Sequence, residues 1–148
     1  MEDKNKDLSI PHMEILLVDD NDLIRVRLEK AIRKLDDDIT IYNSINCEEA
    51  LMLFSQINPD LVILDISLPD GSGIDLLRIM KKEKPQISVS IFTNYGTAEF
   101  KKSCIELGAE HFFEKSNING LIDSIGVQHK CLININEVQM NSGIKIKI

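Results

Sequence analysis

The sequence predicts an α/β domain built on a five-stranded parallel sheet with helices on both faces. Three observations carry this. Four short apolar runs, with a weaker fifth, lack the strict polar alternation of a half-exposed sheet, as expected of strands covered on both sides. Segments with helical spacing lie between them. The order is strand–helix, five times over, which calls for parallel strands joined by crossover helices.

The elements follow in order. "EILLV" (Glu14–Val18) is the first strand. Leu23, Val26, Ala31 and Leu35 then mark a helix over Asp22–Leu35. "ITIY" (Ile39–Tyr42) is the second strand, and Ala50, Leu51, Phe54 and Ile57 mark a helix over Glu48–Ile57. "LVIL" (Leu61–Leu64) is the third strand. Ile74, Leu77 and Met80 mark Ile74–Lys84, which Pro85 ends, because proline cannot continue a helix. "ISVSIF" (Ile87–Phe92) is the fourth strand. Phe100, Cys104 and Leu107 mark Thr97–Leu107, stopped at Gly108. "HFFE" (His111–Glu114) is the weaker fifth strand. Ile118, Leu121, Ile122 and Ile125 mark a last helix, with Ser116 as its cap.

Composition narrows the function classes. The 148 residues suit one compact domain, and 43% apolar residues suffice for a core. The chain has 17 basic and 24 acidic residues, a formal charge of −7. That disfavours direct DNA binding and adhesion to anionic membrane. No apolar run approaches a membrane span. Cys47, Cys104 and Cys131 are odd in number and widely spaced. They form neither a disulfide framework nor a zinc site, and read as reduced cytosolic thiols. Residues 1–12 read as a disordered lead-in without a signal peptide, so the expected location is the cytoplasm.

Chemistry concentrates at the carboxyl ends of the strands, where ligands of such sheets bind. The first strand ends in Asp19 and Asp20, the third in Asp65, the fourth in Thr93, the fifth in Lys115. If these strands are neighbours, three carboxylates, a hydroxyl and an ammonium converge. Three carboxylates repel one another unless a cation joins them. Mg²⁺, with a few carboxylates, waters and a phosphate oxygen, suits the set. Lys115 is a point charge for phosphate. Together these parts describe phosphoryl transfer to an aspartate. Each residue alone has a plainer reading: Asp19 as a helix cap, Thr93 as a strand end, Lys115 as a solvated cation. Joint placement at one sheet edge is what favours the site.

The pieces "LLVDDND", "LVILDISLPDGSG", "IFTN" and "FFEKS" occur in order, each at a strand end. In these the chain resembles the receiver domains of bacterial two-component response regulators, over residues 13–128. The resemblance implies a flavodoxin-like sheet of order 2-1-3-4-5. It implies that Asp65 accepts a phosphoryl group from the phosphohistidine of a sensor histidine kinase or phosphotransfer protein. Asp19, Asp20, Asp65 and the Ser67 backbone carbonyl would hold Mg²⁺ (or Mn²⁺), Asp20 directly and Asp19 directly or through water. Thr93 and Lys115 would bind the phosphoryl oxygens, and Phe112 would be the switch aromatic. Gly73 would help start the third helix. Such a receiver would be a signalling switch in a two-component system or phosphorelay, not an enzyme acting on an outside substrate. Its surface over residues 97–128 would change for a downstream protein effector.

Three positions depart from the family pattern. Asn94 replaces a small residue beside the phosphate. Ser116 replaces a proline after the lysine, which favours a trans peptide there, since a non-proline cis bond costs roughly 3 kcal/mol. Phe112 replaces a frequent tyrosine. The runner-up is a haloacid-dehalogenase-like phosphatase, which needs a second acid two residues after its nucleophile. Ser67 occupies that position and is no acid. A module that never takes phosphate is the third class.

Residues 129–148 are the tail. If the chain is complete, it is a stand-alone receiver; if excised, the tail is linker. Ile133 and Ile135 alternate with asparagines, "NSG" signals a turn, and Ile144, Ile146 and Ile148 alternate with lysines. The tail is therefore expected to be a β-hairpin, packed on the domain or on a second copy in a homodimer, or else disordered.

Overall fold

The structure is a computed structural model, and it describes residues 12–142. Five parallel strands form one sheet: β1 (Glu14–Val18), β2 (Thr40–Ser44), β3 (Leu61–Leu64), β4 (Ser88–Thr93) and β5 (His111–Glu114), in the order β2-β1-β3-β4-β5. Five helices alternate with them: α1 (Asp22–Leu35), α2 (Cys47–Gln56), α3 (Gly73–Glu83), α4 (Ala98–Glu106) and α5 (Ile118–Ser142). A short hairpin, Ser67–Leu68 against Gly71–Ser72, sits between β3 and α3. The expected fold class and strand order are both present.

Alternation along the strands divides the core. Leu16, Val18, Val62, Leu64, Val89 and Ile91 face α2, α3 and α4, through Phe54, Leu76, Leu77, Met80 and Cys104. Ile15, Leu17, Leu61, Ile63 and Phe92 face α1 and α5, through Leu28, Ile32, Leu121 and Ile125. Both faces of each central strand are covered, so apolar residues dominate β1, β3 and β4, with Ser88, Ser90 and Thr93 as buried polar members of β4.

Local signals set the helix ends. Asn21, Asn46, Ser72 and Thr97 each accept a first-turn amide of α1 to α4, satisfying donors that lack helical partners. α4 stops at Gly108, whose φ of 104° suits glycine. There the Gly108 amide donates to Ile105 O and the Ala109 amide to Cys104 O, each at 3.0 Å, the paired bonds of a Schellman ending. Before α5, Asn117 Oδ1 accepts the Gly120 amide at 3.0 Å, so Asn117 fills the capping role assigned to Ser116.

The tail corrects the sequence reading. Where a hairpin or a disordered tail was expected, α5 runs on through Ser142; residues 143–148, the hairpin's second arm, lie outside the described residues, as do residues 1–11 of the lead-in. The reason is periodicity. Leu121, Ile125, His129 and Leu132 continue one stripe at helical spacing. His129 is buried and its Nε2 lies 2.9 Å from Asp36 Oδ2. Leu132 packs on the α1–α5 core. Gln128 Nε2 donates to Asp60 O at 3.1 Å, and Asn136 Nδ2 donates back to Leu132 O at 2.8 Å. The Ile–Asn alternation is overridden by a helix already docked. A chain ending at Gln128 is therefore expected to lose about 2 kcal/mol, read as a lower urea midpoint; an unchanged midpoint would contradict this packing. No helix among the described residues is long and apolar enough to cross a membrane.

Candidate acceptor site at the carboxyl edge of the sheet

Parallel pairing brings the strand ends together. The Asp65 amide donates to Val18 O at 3.0 Å, the Asp19 amide to Ser44 O at 3.1 Å, and the Lys115 amide to Thr93 O at 2.9 Å. Each residue thus sits one step past its strand, still held by a ladder bond. Lys115 Nζ then lies 2.8 Å from Asp19 Oδ2 and 2.9 Å from Asp65 Oδ2. These three side chains are 8%, 2% and 7% exposed, so an ammonium is buried between two buried carboxylates.

The remaining oxygens point to a cation. Asp19 Oδ1 accepts the Asn21 amide at 2.9 Å. Among the described residues Asp65 Oδ1 is buried without a hydrogen-bond partner, a costly state for a carboxylate oxygen. Carboxylate oxygens of Asp19, Asp20 and Asp65 lie within 4.8 Å of one another, and Asp20 is exposed to solvent. One orphaned oxygen, an all-oxygen donor set and an open side fit a hard divalent ion that keeps several waters.

Electrostatics agree. Burial raises the Asp19 carboxyl above its ordinary value, against the hydrogen bond and charge of Lys115, with the Asp65 charge adding to the rise. Burial works against the charged form of Lys115, yet its bonds to Asp19 and Asp65, with their charges, hold it above its ordinary value. The cluster is carboxylate-rich even with Lys115 in place.

Thr93 is fully buried, and its Oγ1 accepts the Tyr95 amide at 3.2 Å. Its hydroxyl is thus tied to the Asn94–Gly96 loop. Asn94 and Ser116 are exposed. No cis peptide occurs among the described residues, so Lys115–Ser116 is trans. Phe112 is half-buried against the core beneath α2, α3 and α4, and Phe113 is half-buried on the opposite core. Ser67 is exposed at the start of the short hairpin.

Two contributors to this edge go beyond the strand-end residues. Gly73 does more than start α3: a Cβ there would fall 2.0 Å from Asp65 O. Asp70, at the hairpin tip, accepts the Cys47 and Glu48 amides of α2 at 2.7 and 3.0 Å. Its partners lie more than twenty positions away, so no local pattern announces it. The only sequence signal is an acidic residue in a turn.

The chain belongs to the response regulator receiver domain family, whose model matches residues 15–125. It is 34% identical over 113 residues to sporulation initiation phosphotransferase F of Bacillus subtilis (strain 168), across 76% of this chain and 90% of that protein. It is 30% identical over 103 residues to a cyclic di-GMP phosphodiesterase of Thermotoga maritima, across 70% of this chain but 27% of that protein. Among solved structures, the signal receiver domain of a putative Luxo repressor protein from Vibrio parahaemolyticus has a TM-score of 0.75 at 28% identity, across 86% of this chain and 98% of that one.

Proposed function

We propose that the protein is a cytoplasmic phosphorylation-controlled switch in which Asp65 accepts a phosphoryl group from a phosphohistidine. The donor is a sensor histidine kinase or a phosphotransfer protein. The observation that carries this reading is Asp65 itself: one oxygen is held by Lys115 and the other is buried without a partner, beside Asp19 and Asp20. One oxygen of the Asp65 carboxylate attacks phosphorus in line. The P–N bond to the donor imidazole breaks, its electron pair stays on the ring nitrogen, and Asp65 becomes an acyl phosphate. Asp19, Asp20, Asp65 and the Ser67 carbonyl would hold Mg²⁺ or Mn²⁺. When bound, the ion neutralises the carboxylates and the phosphoryl oxygens.

Lys115 offers its charge to a phosphoryl oxygen, already aligned on Asp65. Thr93 accepts from Tyr95 through its oxygen and keeps its own O–H to donate. A phosphoryl group that draws Thr93 toward Asp65 therefore pulls on the Asn94–Gly96 loop. Phe112, half-buried and free of any hydroxyl to satisfy, turns inward at little polar cost. The result is a changed surface over residues 97–128 for a protein effector. The receiver unit spans residues 13–128 in this reading.

Asp65→Asn tests it. The variant is expected to take up no phosphate from acetyl phosphate with Mg²⁺, and to bind no beryllofluoride, by intact mass and by NMR. Phosphate incorporated at that site in the variant would overturn the assignment.

A further inference from the structure

We infer that Asp70 is a positioning residue that clamps the loop after the acceptor to the start of α2, and so sets the geometry of the cation side of the site. This rests on the reading of Asp65, Asp19 and Asp20 as a phosphoacceptor and its Mg²⁺ ligands. The loop leaves Asp65, forms the hairpin Ser67–Leu68 with Gly71–Ser72, and enters α3. It is fastened at both ends. At the near end Gly73 lies on the Asp65 carbonyl, and its amide donates to Ile66 O at 2.7 Å. At the far end the Asp70 carboxylate takes the first two amides of α2. Asn46 takes the third, from Glu49, at 2.8 Å. Without Asp70, two of the helix's free donors have no partner among these bonds.

The clamp has a floor as well as two bonds. A Cβ on Gly71 would approach Cys47 Sγ to 3.2 Å, so the hairpin tip rests directly on the first residue of α2. Burial pushes the Cys47 thiol up to about 11, with the Asp70 bond adding to it. The thiol stays protonated and donates to the same carboxylate. The Cys47 amide in turn holds the Asp70 carboxyl below its ordinary value, as a carboxylate at a helix N-terminus should be. Ser67, whose carbonyl completes the proposed ion shell, stands between these two anchors. Loosening the far anchor frees Ser67 while leaving Asp19, Asp20 and Asp65 untouched.

Two variants attack the clamp from opposite sides. Asp70→Ala removes the acceptor. Cys47→Pro removes two donors, the amide and the thiol, at the first helical position, where proline is tolerated; Asn46 already has the extended backbone that a following proline requires. Mg²⁺ binding is measured by calorimetry, and Asp65 labelling by acetyl phosphate is measured across a Mg²⁺ titration. Each variant is expected to weaken Mg²⁺ roughly three- to tenfold. Asp70→Asn, which keeps one acceptor oxygen, is expected to fall between. The double variant should be no weaker than the worse single one, because both break the same contact. Unchanged Mg²⁺ affinity in the variants, with only a lower melting temperature, would overturn the inference and leave a structural cap. A wild type that neither binds Mg²⁺ nor takes phosphate would overturn the phosphoacceptor reading, and this inference with it.

Discussion

Lys115→Met is expected to destabilise the fold by about 3 kcal/mol at neutral pH, and to make the remaining stability depend on divalent cation. Methionine keeps the length and apolar stem of lysine, so packing is nearly preserved. What disappears is the charge that sits 2.8 and 2.9 Å from two buried carboxylates. Removing one partner of a buried ion pair leaves the other uncompensated, and here two are left. The pH dependence has a definite sign. The Asp19 carboxyl is raised above its ordinary 3.8 by burial, so the folded state holds that proton more tightly than the unfolded chain. Its contribution to stability is full below 3.8 and falls as pH rises through the folded value. Without Lys115 the main opposition to that rise is gone, and the window of loss extends upward. The variant should therefore recover most of its deficit as pH falls into the carboxylate range, and also when millimolar Mg²⁺ is added at neutral pH. Urea unfolding at two pH values, with and without Mg²⁺, measures both. An equal deficit under all conditions would mean lost packing rather than unbalanced charge.

The strand ends were legible because parallel topology does the assembling. Once five apolar runs alternate with helices, residues one step past β1, β3 and β5 must share an edge, and Asp19, Asp65 and Lys115 do. Strands β1, β3 and β5 fall where the apolar runs place them, since each run is short and sharply bounded. What stayed hidden depends on contacts between distant segments. Asp70 meets α2 across more than twenty positions. The extension of α5 depends on Asp36, Asp60 and the α1–α5 core meeting its inner face, none of which the alternating isoleucines of the tail reveal. Thr93 was legible as a residue at the end of β4, but not the tie of its hydroxyl to the Tyr95 amide.

Gly73→Ala is expected to be the most damaging single-methyl change in the domain, costing about 3 kcal/mol and weakening Mg²⁺ binding where the fold persists. In the first turn of a helix this exchange ordinarily stabilises, by reducing the freedom of the unfolded chain. Gly73 shows no positive φ, so backbone conformation gives no reason for the opposite sign. The reason is contact. The added Cβ would lie 2.0 Å from Asp65 O, 2.8 Å from Asp65 C and 2.9 Å from Ile66 Cα. All three are backbone atoms, so no rotamer relieves the clash. Either α3 must retreat or the peptide after Asp65 must move. Retreat is opposed by Leu76, Leu77 and Met80, which are at most 1% exposed, so the strain falls on Asp65's own peptide. Gly126→Ala in α5 is the internal comparison. Its Cβ would meet only Leu35 Cδ2, at 3.7 Å, an ordinary contact, and the change should be neutral or stabilising by up to about 1 kcal/mol. Thermal and urea unfolding of the two variants separate the effects. A Gly73→Ala protein as stable as the Gly126→Ala protein would show that α3 does not rest on the Asp65 carbonyl.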